Sequence, residues 1–456
     1  MGLKDKIYAH APNVVQNLLI SLFNRIAYKD RYGKHYKQFL KVYSKNKVLS
    51  TKELKELQKI KYEEFVAFTL KKAPFYSKFY QKINSPTKIE NIKSLPILTK
   101  ELLRKNCEEI YTIPKSKAVL SKTGGTTGVA LEVRFTKKDV EERFAILDHF
   151  RKNYGYKLGE KTAWFSGKTL LNDKDIQRNR FWKSDYLFKV RYFSTFHISE
   201  HTAKYYLESL ILFKPKYIIG FPSSLVELAR MGKKLNIDFP IKINAIFGTA
   251  ETITEQLKYE LETYFKTKVL NQYASSEGAP FIVECPLGNL HLELQSGVFE
   301  VLDENNLPCK KGRLIITSFS TQGTPLIRYD IGDEIELSDA TCTCGNNNPL
   351  VKEILGRSND YLLSPEYGKI NLGNVSNTLK NVSGIIKMQV IQEEINSIDI
   401  KICIDPNQYS LNDEKIFLQN WRERMGNQQN ITITIVSEIS NEKSGKFKMV
   451  INKLMK

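Results

Sequence analysis

The chain has 456 residues, a hydrophobic fraction of 41% and a charged fraction of 26%, which fit two or three globular domains and exclude a mainly disordered chain. Six cysteines are too few for a disulfide-stapled secreted protein, and no N-terminal segment has the pattern of a signal peptide, so we expect a cytoplasmic protein. The formal net charge of +19 is concentrated at one end, since residues 1–120 hold 25 basic and 10 acidic residues.

The basic N-terminal quarter is most simply a set of lysine-rich solvated helices. The alternative is a surface that faces an anionic membrane, an acidic glycan or nucleic acid. Its apolar segment, residues 14–23, is too short to span a membrane, which takes roughly 20 apolar residues. We expect this segment to pack the leading helices onto the body of the protein. In the alternative it is an interfacial helix whose Leu19, Leu22 and Phe23 enter the lipid headgroup boundary.

Residues 1 to about 95 are predicted to form a helical lead-in. Apolar residues recur there at spacings of three to five, at Leu54, Leu57, Ile60, Phe65, Val66 and Leu70. From residue 118 onward, short β-rich runs alternate with amphipathic helices, which is typical of an α/β fold. Residues 216–235 and 243–265 each pass from a strand through a Gly-containing turn into a helix. Their turns lie at strand carboxyl ends, where open α/β sheets bind ligands.

A Gly- and Thr-rich turn, SKTGGTTGV at residues 121–129, follows a short apolar run. Glycine allows close backbone approach and positive φ, so N–H groups and hydroxyls can converge on phosphate oxygens. The turn is not the P-loop of the NTPases, because no lysine follows Gly128. On these residues alone it is either a phosphate cradle or a tight hairpin turn.

The pattern changes from about residue 292 to alternating β-rich segments, which predict a second sheet or β subdomain. After Gly356 come two strands, a helix (DEKIFLQNWRERMG) and a further strand (ITITIVSE). We expect this last part of the chain to be an independent α+β lid.

Three cysteines and one histidine form a second constellation. Cys285 and His291 flank a Pro-Leu-Gly turn, and Cys342 and Cys344 form a short pair about fifty residues later. Cys₃His is a ligand set of closed, tetrahedral zinc sites, and in a reducing compartment close cysteines favour a metal over a disulfide. The alternative is four unlinked residues.

Four motifs follow the Gly-rich turn in order. They are NQYASSEG (271–278), RYDIGDEIEL (328–337), LGRSND (355–360) and KSGKFK (443–448). Together with the turn, they resemble the adenylate-forming superfamily of acyl-CoA synthetases. Within it the sequence is most similar to the phenylacetate-CoA ligase group, especially its capsule and lipopolysaccharide biosynthesis branch. The resemblance extends over essentially the whole chain.

This resemblance implies an α/β fold with two domains. A large, multi-subdomain N-terminal adenylate-forming domain would span residues 1–355, including the helical lead-in. A small, mobile α+β C-terminal lid domain would span residues 361–456. The hinge between them would lie at about 356–360.

The resemblance also implies an ATP site. The loop that holds the β- and γ-phosphates would consist of Thr123, Gly124, Gly125, Thr126, Thr127 and Gly128. Tyr273 would stack on or flank adenine, and Asp333 with Arg357 would contact the ribose, whose hydroxyls suit an acid. Glu277 would ligate Mg²⁺, and Lys446 would reach the α-phosphate and neutralise charge in the transition state. Taken singly, the two acids could be turn or cap residues and the lysine a solvated one.

Two departures from the superfamily pattern matter. Val129 and Ala130 stand where the superfamily usually has Lys-Pro, so the contribution of that lysine is absent or supplied elsewhere. The hinge position, usually acidic, is Asn359 followed by Asp360. The zinc pattern, in contrast, is similar to that of the resembled group, although Cys-x-Cys is tighter than the common Cys-x₂-Cys.

The predicted function is that of an ATP-dependent, carboxylate-activating ligase. The acyl-adenylate would pass to an amine or hydroxyl acceptor during surface-polysaccharide assembly. One alternative is a ligase of the phenylacetate-CoA type, with CoA as acceptor. An alternative of another class is a basic, zinc-containing membrane- or nucleic-acid-binding protein, but it leaves the ordered ATP motifs unexplained, so no nucleic-acid partner is expected. Neither the acid nor the oligomeric state follows from the sequence.

Overall fold

The computed structural model describes most of the chain. The described residues are 8, 11–122, 131–167, 170–251, 253, 255–357, 361–366, 368–371, 375, 377–379, 382–440 and 447–454. Among the helices of these ranges, none combines the length and the hydropathy that a membrane span requires.

The N-terminal part of the described chain is helical, as the sequence predicts. Its α-helices are α1 Asn13–Arg31, α2 Tyr36–Asn46, α3 Thr51–Lys72, α4 Pro74–Phe79, α5 Lys100–Lys105 and α6 Cys107–Ile110. Helix α3 begins with a capping box, in which the Ser50 hydroxyl accepts from the Glu53 backbone N–H and the Glu53 carboxylate accepts from the Ser50 backbone.

A sheet of twelve strands forms the centre of the molecule. The strands that precede it in the chain, β1 Val119–Lys122 and β2 Glu132–Phe135, form a separate antiparallel hairpin. The twelve are β3 Thr162–Ser166, β4 Trp182–Asp185, β5 Val190–Ser194, β6 Tyr217–Gly220, β7 Ala245–Gly248, β8 Val269–Ala274, β9 Phe281–Glu284, β10 Leu290–Leu292, β11 Gly297–Leu302, β12 Lys311–Ser318, β13 Leu326–Ser338 and β14 Leu350–Arg357. Their order is β11-β12-β13-β14-β10-β9-β8-β7-β6-β3-β5-β4.

The sheet is parallel in one half and antiparallel in the other. Strands β5, β3, β6, β7 and β8 run parallel, and β4 pairs with β5 as an antiparallel edge strand. The helices of this part are α7 Lys137–Lys152, α8 Asp173–Gln177, α9 Ala203–Phe213, α10 Pro222–Lys234 and α11 Glu255–Phe265. Fully buried strand residues such as Phe165 and Ile218 share one core with helix residues such as Leu207 and Leu228. The parallel half therefore has the α/β organisation that the sequence predicts.

The C-terminal part forms a smaller sheet unit with its own core. It contains β15 Tyr361–Ser364, β16 Gly368–Asn371, β17 Ile385–Glu394, β18 Ser397–Ile404, α12 Leu411–Met425, β19 Asn430–Ile435 and β20 Val450–Asn452. The order β19-β18-β17-β20 gives a four-stranded sheet, and Phe417 and Trp421 of α12 are fully buried against it. The predicted α+β C-terminal unit is confirmed.

Two expectations about the leading helices are wrong. Ile60, predicted on the buried face of α3, is exposed, and the polar Gln58 is buried there through a hydrogen bond from its amide nitrogen to the carbonyl oxygen of Gly297. The apolar residues of segment 14–23 do not pack onto the body of the protein. The polar side of α1 packs there instead, because its side chains hydrogen-bond the edge strand β4.

Candidate functional site

The parallel strands end at one edge of the sheet, and the predicted adenosine residues come together there. Tyr273, in β8, donates a hydrogen bond from its hydroxyl to the Asp333 carboxylate in β13. Asp333 is paired with Arg357 in the register of β13 and β14. These three residues are far apart in the chain and in three different strands, and the sheet brings them into one neighbourhood.

Glu277 lies just beyond the carboxyl end of β8, in a buried position among cations. Its Oε1 is 3.8 Å from the Nζ of Lys100, at the start of α5. Arg143, in α7, also adds positive potential at this carboxylate and donates to the Ser275 carbonyl at 2.7 Å. Burial lowers the pKa of Arg143 to about 10, so its guanidinium is still charged at neutral pH.

Gly278 explains why the turn after Glu277 can approach the sheet so closely. Its φ of +129° lies in a region that favours glycine, and a Cβ there would meet the Thr321 side chain at 2.3 Å and Ser318 Oγ at 2.7 Å. A larger residue would push the turn, and Glu277 with it, away from the β12–β13 connection.

The predicted phosphate loop, Thr123 to Gly128, lies outside the described residues. Its two ends are described, because β1 and β2 pair from Val119 opposite Phe135 to Lys122 opposite Glu132. The loop therefore joins the two strands of an antiparallel hairpin.

Lys446 also lies outside the described residues, but the residue after it is described. The backbone N–H of Phe447 donates to Glu251 Oε1 at 3.5 Å. Glu251 follows β7 and accepts from the backbone N–H and hydroxyl of Ser223, both at 2.9 Å, just beyond β6. The C-terminal unit therefore contacts the same carboxyl edge of the sheet on which Tyr273 lies.

A cavity of about 850 Å³ lies between the C-terminal unit and the large sheet. Its walls include Asn271 of β8, whose side chain shares a strand face with Tyr273 because side chains two residues apart point the same way. Arg230 of α10 lies in the wall, forms a two-pronged ion pair with Glu260 at 2.6 and 2.7 Å, and donates to the Ile386 carbonyl of the C-terminal unit. Arg230 therefore links the two parts of the molecule across the cavity.

The four predicted zinc ligands meet in one place. Cys285 directly follows β9 and His291 lies in β10, whereas Cys342 and Cys344 come from the β13–β14 connection. Their ligand atoms all lie within 4.8 Å of one another. The structure thus brings these four residues together, and zinc at this place stays a prediction.

The distances in this cluster fit a tetrahedral metal site. Cys285 Sγ and Cys342 Sγ are 3.8 Å apart, which is too long for a disulfide and close to the edge of about 3.8 Å that Zn–S bonds of about 2.3 Å produce. Cys344 Sγ lies 3.4 Å from His291 Nε2. His291 Nδ1 lies 3.1 Å from the Asn348 carbonyl oxygen, which can only accept, so Nδ1 carries the proton and Nε2 has the lone pair that a metal needs.

Three cations at the site lie outside the sequence motifs: Lys100, Arg143 and Arg230. Lys100 lies in the segment LPILTKELLR, where no motif distinguishes it from other lysines. The other two lie in amphipathic helices, where a basic residue has no pattern that separates it from solvated neighbours. Only their partners in the folded chain distinguish them.

Comparisons with known proteins add to this geometry. The family model of the CapK C-terminal domain matches residues 362–453. Protein CapK of Staphylococcus aureus is 32% identical over 458 residues, 98% of this chain and 99% of CapK. Phenylacetate-coenzyme A ligase of Thermus thermophilus is 24% identical over 344 residues, 69% of this chain and 73% of the ligase.

Among solved structures, 2-hydroxyisobutyryl-CoA ligase in the postadenylation state shares the fold of this chain. The TM-score is 0.73 at 15% identity, over 90% of this chain and 91% of that one.

Proposed function

This chain belongs to the CapK family of AMP-forming ligases in the adenylate-forming superfamily, related to phenylacetate-CoA ligases, and we propose that it activates a carboxylic acid for transfer to an amine or hydroxyl in surface-polysaccharide assembly. A carboxylate oxygen attacks the α-phosphorus of ATP and pyrophosphate leaves. The acceptor then attacks the acyl carbon, and AMP leaves. We place this reaction in the cytoplasm, where ATP is available.

The residues at the sheet edge have distinct roles in this proposal. Tyr273 flanks the adenine, while Asp333 and Arg357 contact the ribose. Glu277 holds Mg²⁺, which neutralises phosphate charge when bound. Lys446 approaches the α-phosphate when the C-terminal unit closes, and the closed cleft keeps water from the acyl-adenylate.

The observation that best supports the proposal is the contact of Tyr273 with Asp333, opposite Arg357. A carboxylate has about four acceptor positions, more than one tyrosine hydroxyl uses, so it can also bind ribose hydroxyls. The buried Glu277 near the same edge suits a cation, because carboxylate oxygens are ligands that Mg²⁺ takes.

In this proposal, Lys100 takes the place of the superfamily lysine that this chain lacks. Val129 and Ala130 carry no charge, whereas Lys100 reaches to 3.8 Å from Glu277. We propose that Lys100 shares the neutralisation of the phosphates, since ATP bound beside Glu277 would come within reach of the same ammonium group.

The amine or hydroxyl acceptor is proposed from the resemblance of the sequence to the capsule biosynthesis branch, and the likeness to Protein CapK supports that branch. That likeness includes the whole C-terminal unit, residues 362–453, which contacts the site. The likeness to phenylacetate-CoA ligase is lower and covers 69% of the chain. A CoA ligase remains the second candidate, and the likeness to phenylacetate-coenzyme A ligase of Thermus thermophilus supports it.

Two successive assays test the proposal. Pyrophosphate release is measured with a panel of carboxylic acids, and the acid that triggers it is then offered CoA, amino sugars and hydroxylated glycans, with mass analysis of the product. Acid-dependent pyrophosphate release is the expected result, and its absence with every acid would contradict adenylation. A product that requires CoA would favour the second candidate, and an amide or ester that forms without CoA would favour the first.

We also propose that the Cys₃His cluster holds a structural zinc ion. Four protein ligands would close the coordination sphere, so the metal would tie the β9–β10 turn to the β13–β14 connection and would not touch the substrate. Asn289 Nδ2, 3.2 Å from Cys342 Sγ, and the Asn346 backbone N–H, 3.4 Å from Cys344 Sγ, donate to sulfur and suit thiolates.

A further inference from the structure

Helix α1 is oriented with its polar side inward and its apolar side outward. The residues that it buries are Gln16, Asn17, Ser21, Asn24 and Tyr28. The large apolar residues of the opposite side are all exposed, from 38% at Leu19 to 70% at Phe23, and we call them the α1 apolar face: Val14, Val15, Leu18, Leu19, Leu22, Phe23 and Ile26. Monomeric soluble proteins rarely expose such a contiguous row, and larger apolar patches mark interaction surfaces.

Edge strand β4 fixes this orientation. The backbone N–H of Ser184 donates to Asn17 Oδ1 at 3.0 Å, and that of Tyr186, just after the strand, donates to Ser21 Oγ at 2.9 Å. Asn24 donates to the Asp185 carboxylate at 2.7 Å. Edge N–H groups need acceptors, so the helix must turn its polar side chains toward the sheet. A rotation that buried the apolar face would leave these buried polar groups unpaired.

The charge around the α1 apolar face is positive. Arg25 and Lys29 are exposed on the same side of the helix, and residues 13–47 contain eight basic residues and a single acid, Asp30. That acid is itself paired with Lys137 at 2.8 Å. The surface therefore combines apolar side chains with cations that no acid of its own helix opposes on that side.

A second exposed apolar group adjoins the helix. Tyr186 and Leu187, in the turn after β4, are 55% and 53% exposed. The Tyr186 hydroxyl accepts from Asn17 Nδ2 at 3.0 Å, which places its ring beside α1. A tyrosine with an apolar ring and a polar tip suits the boundary between water and lipid.

We propose that α1 is an interfacial helix that docks the protein on an anionic lipid bilayer. The α1 apolar face enters the boundary between headgroups and acyl chains, and Arg25 and Lys29 pair with lipid phosphates. A symmetric contact with a second copy is disfavoured, because it would bring the same cations of both copies together. None of these residues lies at the carboxyl ends of the parallel strands, so docking is independent of the proposed ligase activity.

Vesicle co-sedimentation of the full chain tests the proposal. One set of vesicles contains one part phosphatidylglycerol to two parts phosphatidylcholine, and the other contains phosphatidylcholine alone. We expect binding to the anionic set at low salt, at least about tenfold weaker binding to the neutral set, and weaker binding at about 0.5 M salt, where the Debye length is about 4 Å. No binding to anionic vesicles at low salt would overturn the proposal.

Matched variants separate the contribution of the apolar side chains to vesicle binding from that of the basic ones. Phe23→Gln with Ile26→Gln should weaken binding at least about tenfold, while Leu212→Gln with Leu411→Gln, at residues exposed by 81% and 79%, should leave it unchanged. Arg25→Gln with Lys29→Gln should weaken it about thirtyfold, at the usual contribution of two basic residues near an anionic surface.

Each remaining outcome decides against docking. Equal vesicle binding by the Phe23 and Ile26 variant and by the Leu212 and Leu411 variant would contradict a role for α1. If the wild-type chain sediments as a dimer, the Phe23 and Ile26 variant as a monomer, and neither binds vesicles, the face joins two copies of this chain. Circular dichroism and pyrophosphate release should be unchanged in the Phe23 and Ile26 variant, which separates loss of docking from loss of the fold or of the ligase.

Discussion

At the scale of single residues, Glu277 shows how surroundings give an ordinary acid a possible role in binding a cation. It is buried at the edge of the sheet, and Lys100 and Arg143 provide positive charge beside it. These cations would attract the phosphates of a metal-bound nucleotide, and the carboxylate would hold the metal.

Glu277→Gln should raise the Mg²⁺ concentration needed for half-maximal pyrophosphate release by about tenfold, because the amide keeps the shape but loses the charge that holds the cation. Added Mg²⁺ should partly restore the rate. Glu304→Gln, at an exposed loop position, is the control and should behave as wild type. An unchanged Mg²⁺ dependence would mean that phosphates and other residues hold the metal.

Lys446→Ala should lower the rate of adenylate formation by about 10²–10³ and leave ATP binding nearly unchanged, since the lysine acts on charge that develops in the transition state. Single-turnover formation of acyl-AMP and equilibrium binding of ATP measure the two effects. The control is Lys401→Ala, an exposed lysine of the same unit. Adenylation at the wild-type rate would refute this role and make Lys448 the next residue to test.

Among the secondary-structure elements, the β9–β10 hairpin and the β13–β14 connection meet at the Cys₃His cluster. The β9–β10 turn and the β13–β14 connection are joined by few strand contacts, because β10 pairs with β14 only at Leu290 and His291. A metal at this place would hold both connections at a fixed separation, and the β13 and β14 ends that carry Asp333 and Arg357 belong to the same strands.

Cys342→Ser should remove one zinc ion per chain and lower the midpoint of thermal unfolding by roughly 5 °C or more, because a structural site contributes folding free energy directly. Elemental analysis and differential scanning calorimetry measure these changes. Adenylation well below the transition should persist, since a closed site has no position for substrate. Cys309→Ser, a thiol outside the cluster, is the control, and a fully folded, active wild-type chain without metal would show that the clustering is accidental.

At the level of the whole molecule, polar links among the described residues join the C-terminal unit to the large sheet. Arg230 bridges Glu260 and the Ile386 carbonyl, and the Phe447 backbone bonds Glu251. Such links are strong enough to position the unit and weak enough to break during a cycle that requires opening.

Arg230→Gln should therefore shift the unit toward open arrangements and lower the adenylation rate about tenfold or more, the equivalent of one hydrogen bond to a charged group at about 1.5 kcal/mol or above. Small-angle X-ray scattering should show a larger radius of gyration. Lys233→Gln, an exposed residue of the same helix, is the control and should change neither quantity. A normal rate with a normal radius would show that the other contacts suffice to hold the unit closed.

The family, the α/β class and the α+β unit at the C-terminus can all be predicted from the sequence. It also predicts which four residues meet as Cys₃His. These features are local: strands and helices follow from periodicity, and a motif such as NQYASSEG is written in consecutive residues.

Which side of α1 is buried, and which cations lie near Glu277, cannot be predicted from the sequence and depends on the folded structure. The apolar periodicity of α1 predicts that its apolar face is buried. The backbone N–H groups at edge strand β4 need acceptors, however, and the polar side chains of α1 provide them, so the polar face is buried instead. Lys100 resembles any other lysine until α5 places it 3.8 Å from Glu277. Both outcomes depend on partners far away in the chain, and a residue's own neighbours in the sequence do not specify the hydrogen-bonding and electrostatic surroundings that folding creates.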